Sequence, residues 1–140
     1  MTETIHASCV AIGGRGVLIA GASGRGKSDL ALRLIDRGAR LVSDDYTILR
    51  VEAGRLMASA PANIAGKIEI RGVGIVDMDA LARAPVCLLA DLDATPERLP
   101  EARTVTLLHE SVPAFGLRAL EASAPIKVET ALRLFGLPCE

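Results

Sequence analysis

Aromatic residues are almost missing from this chain, which has no tryptophan, one tyrosine and two phenylalanines among 140 residues. Flat ligands and nucleic-acid bases are commonly held by stacking on aromatic rings, and few such rings are available here. Recognition of a ligand must therefore rely on backbone groups and on charge.

The chain also has no large excess of acidic or basic residues. Sixteen basic residues stand against seventeen acidic ones, the net charge is -1, and no run of basic residues occurs. Proteins that follow a phosphate backbone usually carry a basic patch or stripe. We therefore expect no nucleic-acid partner.

Long hydrophobic runs are absent. The apolar runs, such as residues 86–90, have the length of a strand and fall far short of the roughly 20 residues needed to cross a bilayer. Residues 1–7 include Glu3 and His6 and lack the basic-then-apolar layout of a signal peptide. We expect no membrane partner and a cytoplasmic location.

The three cysteines, Cys9, Cys87 and Cys139, are widely spaced and form no C-x-x-C pair for a metal or a redox couple. We expect them to be reduced thiols. Half of the residues are hydrophobic, which is enough for one core, and the expectation is a single domain over residues 1–140.

The apolar pattern predicts an α/β fold that begins with strand, helix and strand, followed by an antiparallel pair of strands. A helix is expected from Lys27 to a stop at Gly38, and a last helix from Pro125 through Phe135 to Gly136. Strands are expected at 17–20, 40–43, 47–51, 56–60, 68–70, 75–76, 86–92 and 104–108, with 47–51 and 56–60 forming a hairpin. In the strand 68–70, the alternation places Glu69 on the face opposite its apolar neighbours.

A glycine-rich segment follows the strand at 17–20. It matches the Walker A pattern G-x-x-x-x-G-K-[ST], and it consists of Gly21, Ala22, Ser23, Gly24, Arg25, Gly26, Lys27 and Ser28. Glycines let backbone N–H groups turn towards phosphate oxygens, and the helix that starts there adds its positive end. Lys27 supplies a cation to the outer phosphates and Ser28 a hydroxyl ligand for Mg²⁺. An ordinary glycine-rich turn is the alternative, and the strand before and helix after favour a phosphate-binding P-loop.

Two adjacent carboxylates, Asp44 and Asp45, follow the strand at 40–43. A P-loop needs an acidic group near the metal, normally at the end of an adjacent strand. One carboxylate would enter the metal's shell and the other would take a proton from the acceptor hydroxyl, although a plain Asp-Asp turn explains the same pair.

Glu69 and Arg71 project to the same side of their strand, which suits a metal contact and a phosphate contact. Exposed strand faces carry such pairs routinely, so spacing alone leaves both interpretations open. His6 and His109 have no ligand partner at metal spacing, and single histidines of this kind are mostly surface or core residues.

Taken together, these residues resemble the catalytic domain of the bacterial HPr kinase/phosphorylase family. The resemblance extends to about residue 79 and includes His6 ahead of the first strand, the loop at 21–28 followed by Asp29, the segment 37–45 and the segment 68–75. Asp29 stands where Glu is more usual, and residues 68–75 look like the family's own motif.

The resemblance implies an ATP- and Mg²⁺-dependent kinase that phosphorylates a serine of HPr, the phosphocarrier of the sugar phosphotransferase system. Some members also remove that phosphate by phosphorolysis. The implied fold is a P-loop kinase domain similar to phosphoenolpyruvate carboxykinase, with a mixed sheet and flanking helices, and family members are usually hexamers. By position, Lys27 would bind phosphate, and Ser28 and Glu69 would bind Mg²⁺.

The same resemblance assigns the proton transfer. Asp45 would be the base towards the acceptor serine and the acid in the reverse direction, with Asp44 beside it. His6 and Arg71 would join the active site.

The chain is similar to the short, alphaproteobacterial-type form, which lacks the N-terminal regulatory domain of longer members. Residues 112–118 are loosely similar to the family's proline-and-arginine segment, which leaves the role of Arg118 and the phosphorylase activity open.

Two other functions fit the same residues. A small-molecule kinase or NTPase would use the same loop, because a phosphate site does not fix the acceptor. A nucleotide-sensing module without catalysis would act through a partner, but it would have less need of Asp44, Asp45 and Glu69.

Overall fold

The structure is a computed structural model that describes residues 1–139. Within that range the chain forms two helices, α1 at Lys27–Asp36 and α2 at Ala124–Phe135. The strands, in chain order, are β1 Thr2–Ile5, β2 Ala7–Ile12, β3 Arg15–Ala20, β4 Arg40–Ser43, β5 Thr47–Glu52, β6 Arg55–Ser59, β7 Lys67–Ile70, β8 Gly74–Asp77, β9 Arg83–Asp91, β10 Thr104–Leu107 and β11 Glu110–Gly116.

Nine of these strands form one curled, mixed sheet, in which seven follow the order β1-β5-β6-β9-β3-β2-β4 and the other two, β11 and β10, branch from β9. Strand β9 is the longest, and it pairs in parallel with β3 along one side. Its other side pairs first with β6, antiparallel, and then with β11, parallel, and β11 in turn carries β10. Strand β2 runs antiparallel to both β3 and β4, so β3 and β4 point the same way with β2 between them.

A separate two-stranded hairpin, β7–β8, stands beside the sheet. Its inner face contributes Ile68, which is 1% exposed, and its outer face carries Glu69 opposite Ile75. The Met78 N–H donates to the Gly66 carbonyl at 2.7 Å and closes the base of the hairpin. The hairpin is therefore fixed to the domain by a buried residue rather than by sheet pairing.

Both faces of the central sheet are covered. Alternation along β3 sends Val17 and Ile19 into a cluster with the buried faces of α1 and α2. Leu18 points the other way, into a second cluster. Cys9 also lies in that second cluster, where burial raises the pKa of its thiol to about 12. All three cysteines are free.

The two helices are tied together and to the segment before α2. Arg37 at the end of α1 forms two parallel hydrogen bonds with the Glu129 carboxylate on α2, and this contact raises the pKa of the Arg37 guanidinium. Arg33 donates to the carbonyl of Ala119 and, at 3.2 Å, to that of Glu121. These contacts hold the segment around residue 120 against α1.

The predicted α/β class with a mixed sheet is confirmed, and so are most of its elements. The helix from Lys27, the strand at 40–43, the hairpin at 47–60 and the last helix through Phe135 lie where the pattern predicted them. The strands predicted at 86–92 and 104–108 correspond to β9 and β10.

Three strands were missed. The strand at 17–20 was predicted to be the first, but β1 and β2 precede it, and His6 lies between these two strands rather than ahead of the first strand. Strand β2 was missed because its alanine, serine and cysteine have weak strand propensity. Strand β11 was missed because it contains Pro113.

Among residues 1–139, no helix combines the length and the apolar character that crossing a bilayer requires.

Candidate functional site

The glycine-rich loop joins β3 to α1 and turns sharply at its glycines. Gly24 and Gly26 have φ angles of 85° and 95°, in the left-handed region that favours glycine. The Gly26 carbonyl accepts the first helical hydrogen bond, from Leu30 N–H at 2.9 Å. The N-terminus of α1 therefore opens directly onto the loop, with its unpaired N–H groups and positive dipole end.

Lys27 is a nearly buried cation, with 6% of its surface exposed. Its Nζ donates to the carbonyl oxygens of Gly21 at 2.9 Å and Ala22 at 3.3 Å. Within residues 1–139 no carboxylate lies at ion-pair distance from it. A buried charge without a counterion is unfavourable, so this ammonium is suited to receive an anion.

Asp44 contacts several other elements of the site and is only 7% exposed. Its Oδ1 accepts a hydrogen bond from the Ser28 hydroxyl at 2.6 Å, and its Oδ2 accepts one from the Glu69 N–H at 3.0 Å. One carboxylate thus links the end of β4 to the loop and to the β7–β8 hairpin.

Ser8 on β2 is a site residue that sequence reasoning missed. Its hydroxyl donates to Asp44 Oδ1 at 3.2 Å and accepts from the Asp45 N–H at 3.0 Å, and the residue is fully buried. No local pattern identifies it, because β2 itself was not predicted and a lone serine is uninformative without its partners.

Asp45 is more open to solvent, with 52% of its side chain exposed. Its Oδ1 accepts a hydrogen bond from His6 Nε2 at 2.8 Å, and the His6 ring stacks on Tyr46 with centroids 5.1 Å apart. Asp45 has a φ of 68°, a conformation that Asp and Asn tolerate better than most residues. The contacts with His6 and Ser8 hold it there.

Lys27, Asp44 and Asp45 line one cleft of about 580 Å³ between the loop and the β7–β8 hairpin, whereas Ser8 and His6 do not line it. Its walls are formed by Ser23, Gly24, Gly26, Lys27, Ser28, Asp29, Leu32, Asp44, Asp45, Glu69, Ile70, Arg71 and Leu120. The structure therefore brings together the loop, both aspartates and the Glu69–Arg71 pair that spacing alone left open.

The strand that precedes Asp44 is not adjacent to the loop strand, contrary to expectation. Strand β2 lies between β3 and β4, and Ser8 on β2 fills the gap. The strand adjacent and parallel to β3 is β9, and Asp93 follows it. Both Asp93 carboxylate oxygens lie 3.1 Å from the Ala22 N–H, and Oδ1 lies 3.2 Å from Arg25 Nε. Asp93 is a second residue that the sequence did not reveal, since strand order is invisible in one chain.

Not every candidate faces the cleft. Gly21 and Ala22 form the base of the loop, Arg25 turns towards Asp93, and Arg118 is not part of the cleft wall. Among residues 1–139, no three His, Cys, Asp or Glu side chains converge as a metal cage.

The fold and the cleft together define a class of protein: a mixed α/β domain with a glycine-rich loop at a helix N-terminus, a buried lysine and adjacent carboxylates. Comparison with known protein families identifies the family within this class. The model of the HPr serine kinase C-terminal domain matches residues 1–83, and the chain belongs to that family.

Relatives with similar sequences carry the corresponding name. HPr kinase/phosphorylase of Clostridium botulinum is 46% identical over 77 residues, and that of Brevibacillus brevis is 51% identical over 78 residues. Each match covers 55% of this chain and 25% of the relative, so the chain corresponds to about a quarter of these proteins.

A solved structure extends the similarity beyond the matched sequence. The structure of the Hpr(Ser) kinase/phosphatase from Coxiella burnetii superposes with a TM-score of 0.82 at 34% identity. It covers 94% of this chain and 88% of that one. The second half of the chain, where sequence resemblance fades, therefore keeps the family's fold.

Proposed function

We propose that this chain transfers the terminal phosphoryl group of ATP, with Mg²⁺, to a serine hydroxyl of the phosphocarrier HPr or an HPr-like protein. The observation that carries the proposal is the cleft itself, which is lined by the nearly buried cation Lys27, the buried Asp44 and the more exposed Asp45. The family membership and the names of the relatives support HPr as the acceptor.

The donor side of the cleft is the loop at 21–28, which we propose to be a P-loop. Amide groups at the N-terminus of α1 and the Lys27 ammonium would hold the phosphates and neutralise their charge. Lys27 is already desolvated and held by the carbonyls of Gly21 and Ala22, so binding an anion requires little reorganisation.

The Mg²⁺ site would be formed by the Ser28 hydroxyl and the Glu69 carboxylate, with Asp44 in the shell. These residues suit Mg²⁺ because the ion prefers oxygen ligands, and Asp44 is a buried carboxylate that Ser28 already contacts. A carboxylate has about four lone pairs, so Asp44 can accept its hydrogen bonds and still contact the ion. When bound, Mg²⁺ supplies positive charge that offsets the charge of the phosphates.

The acceptor side is Asp45. Its Oδ1 is held by His6, which leaves Oδ2 to accept the proton of a serine hydroxyl. The serine oxygen then forms a bond to the terminal phosphorus, the bond from that phosphorus to the bridging oxygen breaks, and ADP leaves. Arg71 on the cleft wall would neutralise charge on the transferred group.

We also propose that the fold is similar to that of phosphoenolpyruvate carboxykinase. We further propose that the chain forms a homo-oligomer, as the hexameric members of the family do. Sedimentation velocity of the purified chain measures the oligomeric state.

The direct test is incubation of the purified chain with ATP, Mg²⁺ and HPr from the same organism. We expect one added phosphate on HPr, located on a serine by peptide mass analysis. Lys27→Ala should abolish this transfer, whereas Lys127→Ala should not, because Lys127 is an exposed residue of α2 paired with Glu121.

Two results would overturn the proposal. Transfer to a metabolite but not to HPr would assign a small-molecule kinase, and tight ATP binding without any product would assign a nucleotide sensor. Incubating phosphorylated HPr with inorganic phosphate tests the reverse reaction in the same assay.

A further inference from the structure

A buried serine joins the side chain of Asp44 to the backbone of Asp45. Ser8 is 0% exposed, and its hydroxyl makes two hydrogen bonds, one to the side chain of Asp44 and one from the backbone of Asp45. Through these two bonds a single oxygen atom contacts the carboxylate of Asp44, on the metal side, and the backbone of Asp45, whose carboxylate is on the acceptor side.

We infer that Ser8 is a positioning residue for phosphoryl transfer, which sets Asp44 and Asp45 in one fixed arrangement. The inference rests on the proposed function. Ser8 is fully buried and does not line the cleft, so it acts only through the two aspartates.

The need for such a residue follows from the backbone. Asp45 has a positive φ of 68°, a conformation that costs free energy in a residue other than glycine, although aspartate tolerates it better than most. The Asp45 N–H lies outside the strands and donates to the Ser8 hydroxyl at 3.0 Å. Without that acceptor the N–H loses its partner in the protein, and the turn is free to relax towards an ordinary conformation.

The second bond acts on Asp44. Its Oδ1 accepts from two hydroxyls, those of Ser8 and Ser28, at 3.2 Å and 2.6 Å. The Ser28 hydroxyl is itself a proposed Mg²⁺ ligand, and it must turn a lone pair to the ion when the ion binds. Ser8 then holds Asp44 in place while Ser28 is engaged, in the way that outer hydrogen bonds orient metal ligands.

The test compares Ser8→Ala with a matched loss of a buried hydroxyl. Thr47 on β5 is also fully buried, and its Oγ1 donates to the carbonyl of Ala7 at 2.8 Å. Ala7 lies on β2 next to Ser8, but this hydrogen bond involves neither carboxylate. Thr47→Val therefore removes a comparable hydrogen bond beside the site. Ser8→Cys provides a second variant of similar volume with a weaker hydrogen-bonding group.

Three quantities are measured for each protein: the urea midpoint of unfolding, the dissociation constant of Mn²⁺ in the presence of ATP by electron paramagnetic resonance, and kcat and KM for HPr. For Ser8→Ala we expect the Mn²⁺ dissociation constant to rise about tenfold or more and kcat to fall by a similar factor, with KM for HPr nearly unchanged. Thr47→Val should leave both near the wild-type values even where its unfolding midpoint falls equally.

The inference is overturned if Ser8→Ala and Thr47→Val change metal affinity and kcat by the same factor, or if Ser8→Ala binds Mn²⁺ and turns over as the wild type does. If Ser8→Ala does not fold, Ser8→Cys gives the same comparison. If the wild type transfers nothing to HPr, the proposed function fails by itself, while Mn²⁺ binding still tests the link between Ser8 and Asp44.

Discussion

At the scale of single residues, Asp44 and Asp45 are neighbours in sequence with opposite surroundings. Asp44 is 7% exposed and accepts three hydrogen bonds, from Ser28, Ser8 and the Glu69 N–H. Asp45 is half exposed and held by His6. The positive φ of Asp45 turns the two side chains apart, so adjacent carboxylates can serve different partners.

The glycine at the start of α1 is a second place where one residue decides the site. Gly26 has a φ of 95°, and a Cβ there would lie 3.4 Å from Ala119 Cβ and 3.2 Å from Leu120 Cδ2. We predict that Gly26→Ala weakens ATP binding at least about tenfold, which corresponds to roughly 1.4 kcal/mol, because the strained turn displaces the loop amides. Isothermal titration calorimetry measures the affinity.

Gly54 provides the matched control for this prediction. It has a φ of 77° in the β5–β6 turn, with no atom within 4 Å of a Cβ, so Gly54→Ala introduces backbone strain away from the cleft. We expect it to lower stability by about 1–2 kcal/mol and to leave ATP affinity unchanged. Equal losses of affinity in both variants would show that strain in general, and not the loop, controls binding.

The site residues that the sequence analysis predicted are those that belong to a recognisable local sequence pattern. The loop at 21–28 is a contiguous motif, and Asp44 follows a strand that its apolar residues reveal. Ser8 and Asp93 belong to the same site but come from β2 and from the end of β9, and only the strand order brings them to it. A lone serine or aspartate has no pattern that would identify such a role.

At the scale of elements, the β7–β8 hairpin is the part of the site most dependent on packing. It carries Glu69 and Arg71 but is not paired with the main sheet. Its attachment rests on the Glu69 N–H bond to Asp44 and on Ile68, which is buried in the cluster beneath α1.

We predict that Ile68→Ala reduces both stability and phosphoryl transfer. Removing a buried isoleucine side chain costs about 2–5 kcal/mol, and here the loss falls on the contact that places Glu69 and Arg71 in the cleft. Urea unfolding and the HPr transfer assay measure the two effects.

The same deletion at an exposed position is the control. Ile126 is 49% exposed on α2, so Ile126→Ala should stay within about 0.5 kcal/mol of the wild type and keep full transfer. Transfer that persists in Ile68→Ala despite a large loss of stability would mean that the hairpin's position is not needed for the reaction.

Element prediction failed where tertiary pairing overrides local preference. Strand β2 consists largely of small residues and is a strand because β3 and β4 pair with it on both sides. Pro113 in β11 lies in the part that pairs with β10, and the pairing with β9 begins only at Ala114. The proline therefore removes no hydrogen bond from the contact with β9.

At the scale of the whole molecule, sequence and structure report on different parts of the chain. The family model ends at residue 83, yet the Coxiella burnetii structure superposes on 94% of the chain. The first part carries the loop, the two aspartates and the hairpin, where chemistry constrains residue identity. The later part contributes the buried apolar faces of β9, β11 and α2, which support the site, and Asp93, which contacts the loop.

The central claim is that the cleft separates the donor side, at Lys27 and Asp44, from the acceptor side, at Asp45. Asp45→Asn tests it most directly, because Asn tolerates the same positive φ and still accepts the hydrogen bond from His6 but takes up no proton. ATP affinity with Mg²⁺ and the rate of transfer to HPr are measured on the same preparation. We predict an ATP affinity within about threefold of the wild type and a transfer rate lower by about 10²–10⁴-fold. Transfer at the wild-type rate, or a loss of ATP binding as large as the loss of transfer, would contradict the account.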